Sequence, residues 1–103
     1  MQTSLRIGFI FFVLAGSHGA WAQDKALVDA GEKVYAANCA TCHGPDLVNP
    51  GDTPDLKKLS AGEKARFVES VTDGKGQMPA WGGILSDEQI EQLWAYIRSN
   101  AGN

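Results

Sequence analysis

The feature that most constrains this 103-residue chain is a five-residue segment, Cys39-Ala40-Thr41-Cys42-His43, which contains both cysteines and one of the two histidines. Two thiols at this spacing suit a small disulfide, half of a zinc site, a redox dithiol or the covalent attachment of a haem. Each interpretation makes a different demand on the rest of the chain. The remaining residues therefore decide between them.

Residues 1–22 have the features of a cleaved secretory signal peptide. Arg6 is followed by an apolar run, residues 7–15, and by small residues that end in the tripeptide AWA. The run is far shorter than the roughly 20 apolar residues that span a membrane, although an uncleaved anchor is the alternative. We expect cleavage after Ala22, which leaves residues 23–103 as one exported, periplasmic domain without a membrane span.

The charge balance excludes one broad class of partner. Because one of the nine basic residues, Arg6, lies in the leader, the exported part has eight basic and twelve acidic residues, a net charge of −4. It has no basic stripe that could neutralise phosphates, which argues against a nucleic-acid partner. Five basic residues concentrate in one part of the chain: Lys57, Lys58, Lys64, Arg66 and Lys75. We interpret this cluster as a solvated surface, with a docking patch as the alternative.

Three stretches have the apolar spacing that predicts helices, and no alternating pattern is long enough to predict a strand. The first covers about residues 25–38. The second covers about 61–72, after a capping box that begins at Ser60, and the third follows a second capping box that begins at Ser86. The predicted fold is therefore all-α, with three main helices joined by long loops. A domain this small buries too little apolar surface to give a large free energy of unfolding, so a cofactor is expected to fill its core.

The spacing C-x-x-C-H is the attachment signature of c-type haem. Cys39 and Cys42 reach the two vinyl groups of one porphyrin edge, and His43 then lies under the iron as the proximal ligand. The exported part has no other cysteine or histidine, since His18 leaves with the leader, so it cannot complete a zinc site. It also lacks the β-α-β pattern of a redox dithiol. A plain disulfide stays open, but it leaves the histidine and the long loops unexplained.

Met78 is the predicted second axial ligand of the iron. It is the sole methionine of the exported part and lies in a glycine-punctuated loop, where Pro79 pushes it towards an extended conformation. A methionine that fills a gap in the core is the alternative. With His43 and Met78 on opposite faces, the iron has no vacant position for oxygen or peroxide. It can then exchange single electrons, which indicates an electron carrier rather than an enzyme.

With these residues the sequence resembles the class I cytochromes c over nearly all of residues 23–103. In that family a glycine and an aromatic residue precede the first haem cysteine by eight and four positions, where Gly31 and Tyr35 lie. The family's last helix carries a leucine and an aromatic residue, which Leu93 and Tyr96 match. The resemblance implies that the first and last helices cross, with Gly31 against the last helix near Tyr96.

The resemblance also implies roles for residues around one covalently attached haem c. A proline-x-leucine sequence follows the haem histidine in that family, and Pro54 and Leu56 fit it. The Pro54 carbonyl is then expected to accept the Nδ1 proton of His43, with Pro50 as a rival, and Leu56 to press on the porphyrin face. Trp81 either donates its indole N–H to a haem propionate or belongs to the core.

Residues 78–99 are similar to small cytochromes that accept electrons from quinoprotein (PQQ) alcohol or methanol dehydrogenases. The predicted function is an exported one-electron carrier between redox proteins, with such a dehydrogenase as donor and an oxidase or another cytochrome as acceptor. A haem subunit bound permanently to a dehydrogenase is the first alternative. A small haem peroxidase or gas-binding protein is the second.

Overall fold

The computed structural model describes residue 8 and residues 16–101, and in this part the chain forms four α-helices and no β-strand. The helices are α1 (Gly16–Asn38), α2 (Ala40–His43), α3 (Lys64–Asp73) and α4 (Asp87–Asn100). Three 3₁₀ turns lie between them, at Pro45–Leu47, Leu56–Lys58 and Ala61–Glu63. The predicted all-α fold is confirmed. The three predicted helices correspond to α1, α3 and α4, and α2 is one additional turn.

The start of α1 differs from the prediction. The helix begins at Gly16 rather than near Lys25, because residues 20–26 are mostly strong helix formers that no proline interrupts. The predicted cleavage point after Ala22 therefore lies within α1, whereas the basic and apolar regions of the predicted leader, apart from Gly8, lie outside the described residues. Cleavage stays a prediction. No helix in the described part of the chain is long and apolar enough to cross a membrane.

Helices α1 and α4 form the centre of the fold and cross at Gly31. A Cβ atom at Gly31 would lie 2.9 Å from the Cβ of Tyr96 and would overlap the backbone carbonyl of Gln92. The helices can approach this closely because glycine has no side chain. Next to the crossing, the rings of Tyr35 and Tyr96 pack with their centroids 5.4 Å apart. The crossing predicted near Tyr96 is confirmed.

The core joins the apolar face of α4 to α1, α3 and two loops. Its buried residues are Tyr35, Leu47, Phe67, Val71, Leu85, Ile90, Leu93, Trp94, Tyr96 and Ile97. The rings of Phe67 and Trp94, 5.1 Å apart, connect α3 to α4. One turn further along α4, Arg98 lies over the Trp94 ring and its Nη1 donates to the Leu59 carbonyl at 2.6 Å. These contacts hold the loop between α2 and α3 against the last helix.

Both predicted capping sequences begin a helical segment. At α4, the Ser86 hydroxyl accepts from the Gln89 N–H at 3.1 Å, and the Gln89 side chain accepts from the Ser86 N–H at 2.9 Å. At Ser60, the Glu63 carboxylate accepts from the backbone N–H at 2.7 Å. A 3₁₀ turn follows there, so α3 begins at Lys64, three residues later than predicted.

Candidate haem site

The C-x-x-C-H segment forms one helical turn directly after α1. The N–H of Cys39 donates to the Tyr35 carbonyl at 2.8 Å, and the N–H of His43 donates to the Cys39 carbonyl at 2.9 Å. Cys39 and Cys42 are therefore neighbours on one face of the turn, since residues three apart on a helix lie above one another. The two sulfurs are not joined in a disulfide. The local fold presents two sulfurs and then an imidazole within a single turn.

The two thiols have different environments. Cys39 packs against the core, and burial, reinforced by the charge of Cys42, raises the pKa of the Cys39 thiol to about 11. Cys42 is exposed. Because the thiolate is the nucleophilic form of cysteine, this raised pKa disfavours nucleophilic chemistry at Cys39. The pair is thus unlike a redox dithiol, which needs a thiol with a lowered pKa.

The loop that follows α2 encloses one nitrogen of His43. The Nδ1 atom is buried and makes no hydrogen bond of standard geometry. Burial lowers the pKa of His43, and the nearby Pro54 carbonyl offsets part of this effect, so the neutral ring is favoured. The Thr53 hydroxyl donates to the Cys42 carbonyl at 3.1 Å and so brings this part of the loop beside the ring. A neutral imidazole with Nδ1 on the protein side is suited to bind a metal through Nε2.

Met78 lies in a tight turn that is attached to the end of α3. Lys75 and Met78 exchange two backbone hydrogen bonds, of 3.1 and 3.0 Å. Gly74, which caps the end of α3, has a φ of 78°, and a Cβ atom there would lie 2.7 Å from the Met78 carbonyl oxygen. Downstream, the Trp81 N–H donates to the Val71 carbonyl at 2.8 Å. The backbone around Met78 is therefore fixed by main-chain hydrogen bonds.

The other predicted site residues lie around the same core. Leu56, Met78 and Trp81 are half-buried and pack against it, as Cys39 does. Pro54 is exposed, but its carbonyl interacts with His43. The ring of the rival Pro50 lies 3.4 Å from where a Cβ of Gly44 would be. The roles of Pro54, Leu56 and Trp81 towards a haem stay predictions.

The turn after His43 has features that the sequence did not indicate. Gly44 has a φ of 88°. After Pro45, Asp46 and Leu47 have φ values of 54° and 63°. This left-handed conformation costs a residue with a side chain about 1–2 kcal/mol. The Tyr35 hydroxyl donates to the Gly44 carbonyl at 2.6 Å within the protein interior. The sequence does not indicate a left-handed Leu47, because a bulky residue rarely adopts this conformation, whereas aspartate adopts it more often.

These residues fit a covalently attached haem. Two cysteines lie one turn apart, and the histidine that follows them has a buried Nδ1 and a lowered pKa that favours the neutral ring. Within residues 16–101, no group of three or more His, Cys, Asp or Glu side chains could hold a bare metal ion. The two cysteines and the adjacent imidazole are the groups that attach a haem c and bind its iron.

Comparison with known proteins identifies the family. Residues 26–97 match the family described as "Cytochrome C oxidase, cbb3-type, subunit III". The chain belongs to the class I c-type cytochromes. Cytochrome c6 of Rippkaea orientalis is 40% identical over 98 residues, which cover 90% of this chain and 86% of that protein. Cytochrome c6 of a Nostoc species is 38% identical over 100 residues, which cover 92% and 87%.

A second group of relatives of this cytochrome consists of oxidase subunits. The cbb3-type cytochrome c oxidase subunit FixP of Azorhizobium caulinodans is 37% identical over 90 residues, which cover 82% of this chain and 31% of that protein. As a member of the family, the cytochrome carries one covalently bound haem c with its iron and transfers electrons between redox proteins. The prediction that it is an electron carrier and not an enzyme agrees with its cytochrome c6 relatives.

Proposed function

We propose that this cytochrome is an exported, periplasmic carrier that passes one electron at a time through an iron bound by His43 and Met78. The observation that supports this most is the geometry of residues 39–43, where two cysteines and a histidine with a buried Nδ1 share one helical turn. The proposal for Met78 is supported by its turn, which holds a thioether at the edge of the core.

The bound haem c supplies the ferric–ferrous couple. Cys39 and Cys42 anchor it through thioether bonds, so an exported domain cannot lose it by dilution. The Pro54 carbonyl would accept the Nδ1 proton of His43 and so leave Nε2 for the iron. The thioether of Met78 would bind the same iron, keep water and peroxide from it and favour its reduced state.

Replacement of Met78 by alanine tests the axial ligand. In the haem-loaded protein we expect Met78→Ala to lower the reduction potential by roughly 0.1 V or more, since axial ligands set haem potentials over about 0.8 V. We also expect loss of the methionine-to-iron charge-transfer band and binding of carbon monoxide. Gln77→Ala is the matched control, because this exposed neighbour lies in the same turn. An unchanged potential in Met78→Ala would refute the ligand and would favour a peroxidase or gas-binding role.

Removal of both thiols tests covalent attachment and the contribution of haem to the core. We expect a chain with Cys39→Ala and Cys42→Ala to lose its colour in acidic organic solvent, whereas the unsubstituted protein keeps it. Circular dichroism should show that the double variant without haem is largely disordered. A compact variant with a cooperative thermal transition would contradict the role of haem in the core.

Export is tested by the N terminus of the protein recovered from the periplasm. We expect it to begin at Gln23, directly after the predicted cleavage point. If the protein is instead recovered from the membrane fraction with residues 1–22 still attached, the segment is an uncleaved anchor.

The physiological partners are proposed to be a quinoprotein (PQQ) alcohol dehydrogenase as donor and an oxidase or another cytochrome as acceptor. The similarity of residues 78–99 to dehydrogenase-linked cytochromes supports the donor, and the oxidase-subunit relatives support a cbb3-type oxidase as acceptor. Stopped-flow reduction of the ferric protein by the dehydrogenase, and oxidation of the ferrous protein by the oxidase, test the two steps. If the dehydrogenase does not reduce the ferric protein, it is excluded as the electron donor.

A permanent subunit of a larger redox complex is the second candidate function. The match to an oxidase-subunit family favours it. FixP is itself an oxidase subunit, and the segment similar to this cytochrome makes up about a third of its length. Size-exclusion chromatography of the natively purified protein separates the two cases. A free carrier elutes as a small protein, whereas a subunit elutes with its complex.

A further inference from the structure

Hydroxyl groups from two different parts of the chain bind the carbonyls on either side of His43. The Thr53 hydroxyl donates to the Cys42 carbonyl at 3.1 Å, at the protein surface. The Tyr35 hydroxyl donates to the Gly44 carbonyl at 2.6 Å, in the interior. The backbone that carries the histidine is therefore held from the following loop and from α1.

The interior contact is the stronger of the two. Tyr35 is 1% exposed, and burial is the main reason that its pKa is raised to about 12, so the hydroxyl keeps its proton and acts as a donor. The backbone of Leu47 opposes part of this shift in pKa, which indicates that it lies close to the same hydroxyl. The hydrogen bond to the Gly44 carbonyl attaches the start of the turn from Gly44 to Leu47 to α1.

This turn needs an anchor because its backbone is strained. Gly44 has a φ of 88°, and a Cβ atom there would overlap the Val48 carbonyl. Asp46 and Leu47 are left-handed at φ values of 54° and 63°. Strained backbone of this kind persists where surrounding contacts over-determine it, and it is frequent beside functional groups. The burial of Leu47, which is 2% exposed, and the Tyr35 hydroxyl supply those contacts.

We propose that Tyr35 is a positioning residue for the haem ligand His43, and that its hydroxyl holds the strained Gly44–Leu47 turn and so fixes the backbone from which the imidazole projects. This inference rests on the proposed function, because it requires His43 to bind the iron. Without the hydroxyl, the Gly44 carbonyl is left in the interior without its hydrogen-bond donor, and the turn opens more often.

The chain offers a matched control for the loss of this hydroxyl. Tyr35 and Tyr96 are both buried and face one another at the helix crossing. Tyr35→Phe and Tyr96→Phe therefore each remove one oxygen from the same aromatic pair. Both variants are compared in the haem-loaded protein.

Amide hydrogen exchange reports on the turn, through the N–H groups of Gly44 and Val48, which donate to Ala40 and Pro45 at 2.9 and 3.0 Å. In Tyr35→Phe we expect these two amides to exchange about tenfold faster, a larger change than in the amides of α4, because a buried carbonyl has lost its donor. In Tyr96→Phe we expect less than a twofold change in the turn. The paramagnetic shifts of the His43 ring protons in the ferric protein should move in Tyr35→Phe alone.

The proposal would be overturned if amide exchange in the turn accelerated equally in both variants. It would also be overturned if exchange in α4 and in the turn accelerated alike while the His43 resonances did not move. Tyr35 would then be a core residue only. If Tyr35→Phe fails to fold, the unsubstituted protein provides the test: its Tyr35 hydroxyl proton should exchange slowly and show a nuclear Overhauser contact to the turn. A fast-exchanging hydroxyl refutes the anchor. A ferric spectrum without histidine ligation refutes the proposed function separately, since the exchange data do not depend on it.

Discussion

The helix crossing at Gly31 allows a stability prediction whose magnitude follows from the structure. A Cβ at this position would overlap the carbonyl of Gln92 in α4 and lie 2.9 Å from the Cβ of Tyr96. These neighbours belong to the backbone and the base of a side chain, so no rotamer change can relieve the overlap. Overpacking of a core costs about 1–3 kcal/mol, and a site this rigid lies at the upper end of that range.

Helix propensity partly offsets this cost in Gly31→Ala. Alanine stabilises a helix interior by about 1 kcal/mol relative to glycine. We therefore expect Gly31→Ala to lower the free energy of unfolding by about 2 kcal/mol net, which corresponds to a decrease in Tm of about 10 °C for a domain of this size. Urea titration of the haem-loaded protein, followed by circular dichroism, measures the change at a constant m-value.

The same substitution at Gly62 is the control. This glycine is exposed, a Cβ there would meet nothing within 4 Å, and its φ is not positive. Gly62→Ala is expected to be neutral or to stabilise by about 0.4–1 kcal/mol, through the entropy of the unfolded chain. If the two variants unfolded at the same urea concentration, the close approach of α1 and α4 at Gly31 would be wrong.

Three other substitutions test the remaining contacts. Arg98→Gln removes the guanidinium donor of the Leu59 carbonyl and should lower the free energy of unfolding by about 1–2 kcal/mol in urea titrations; a change below 0.3 kcal/mol would mean that this bond contributes nothing. Leu93→Ala, at a side chain 1% exposed, should cost about 2–5 kcal/mol and leave the m-value unchanged. The Ser60 N–H lowers the pKa of Glu63, so its carboxylate stabilises the fold above the ordinary pKa of 4.5 and this stabilisation is lost as the pH falls through the lowered value. Accordingly, the difference in unfolding free energy between the unsubstituted protein and Glu63→Gln should be present at pH 7 and vanish in acid. A difference that grows in acid would contradict the lowered pKa of Glu63.

The parts of the fold that the sequence predicted are those governed by local rules. The C-x-x-C-H spacing specifies its own turn, and the capping box at Ser86 places the start of α4 correctly, because each depends on residues within one turn of helix. The crossing at Gly31 was predicted from the family resemblance. It has a physical signature as well, since a glycine inside a helix requires a reason such as close packing.

The parts that the sequence did not predict depend on contacts between distant residues or on unusual backbone conformations. The bond from Arg98 to Leu59 joins residues 39 positions apart, and no periodic pattern encodes such a pair. The left-handed conformation of Leu47 contradicts local preference and results from tertiary contacts. The early start of α1 at Gly16 shows the reverse case, in which helix-forming residues extend an element past the boundary expected from its apolar face.

The segment that contains Met78 is joined to α3 through main-chain atoms. The Trp81 N–H donates to the Val71 carbonyl at 2.8 Å, and the Gly82 N–H donates to the Thr72 carbonyl at 3.0 Å. Main-chain bonds do not depend on which side chains the segment carries, apart from the glycines that the close approach requires. The side chains around Met78 can therefore change while the backbone stays in place, and in the proposed ligation such changes would alter the reduction potential without altering the fold.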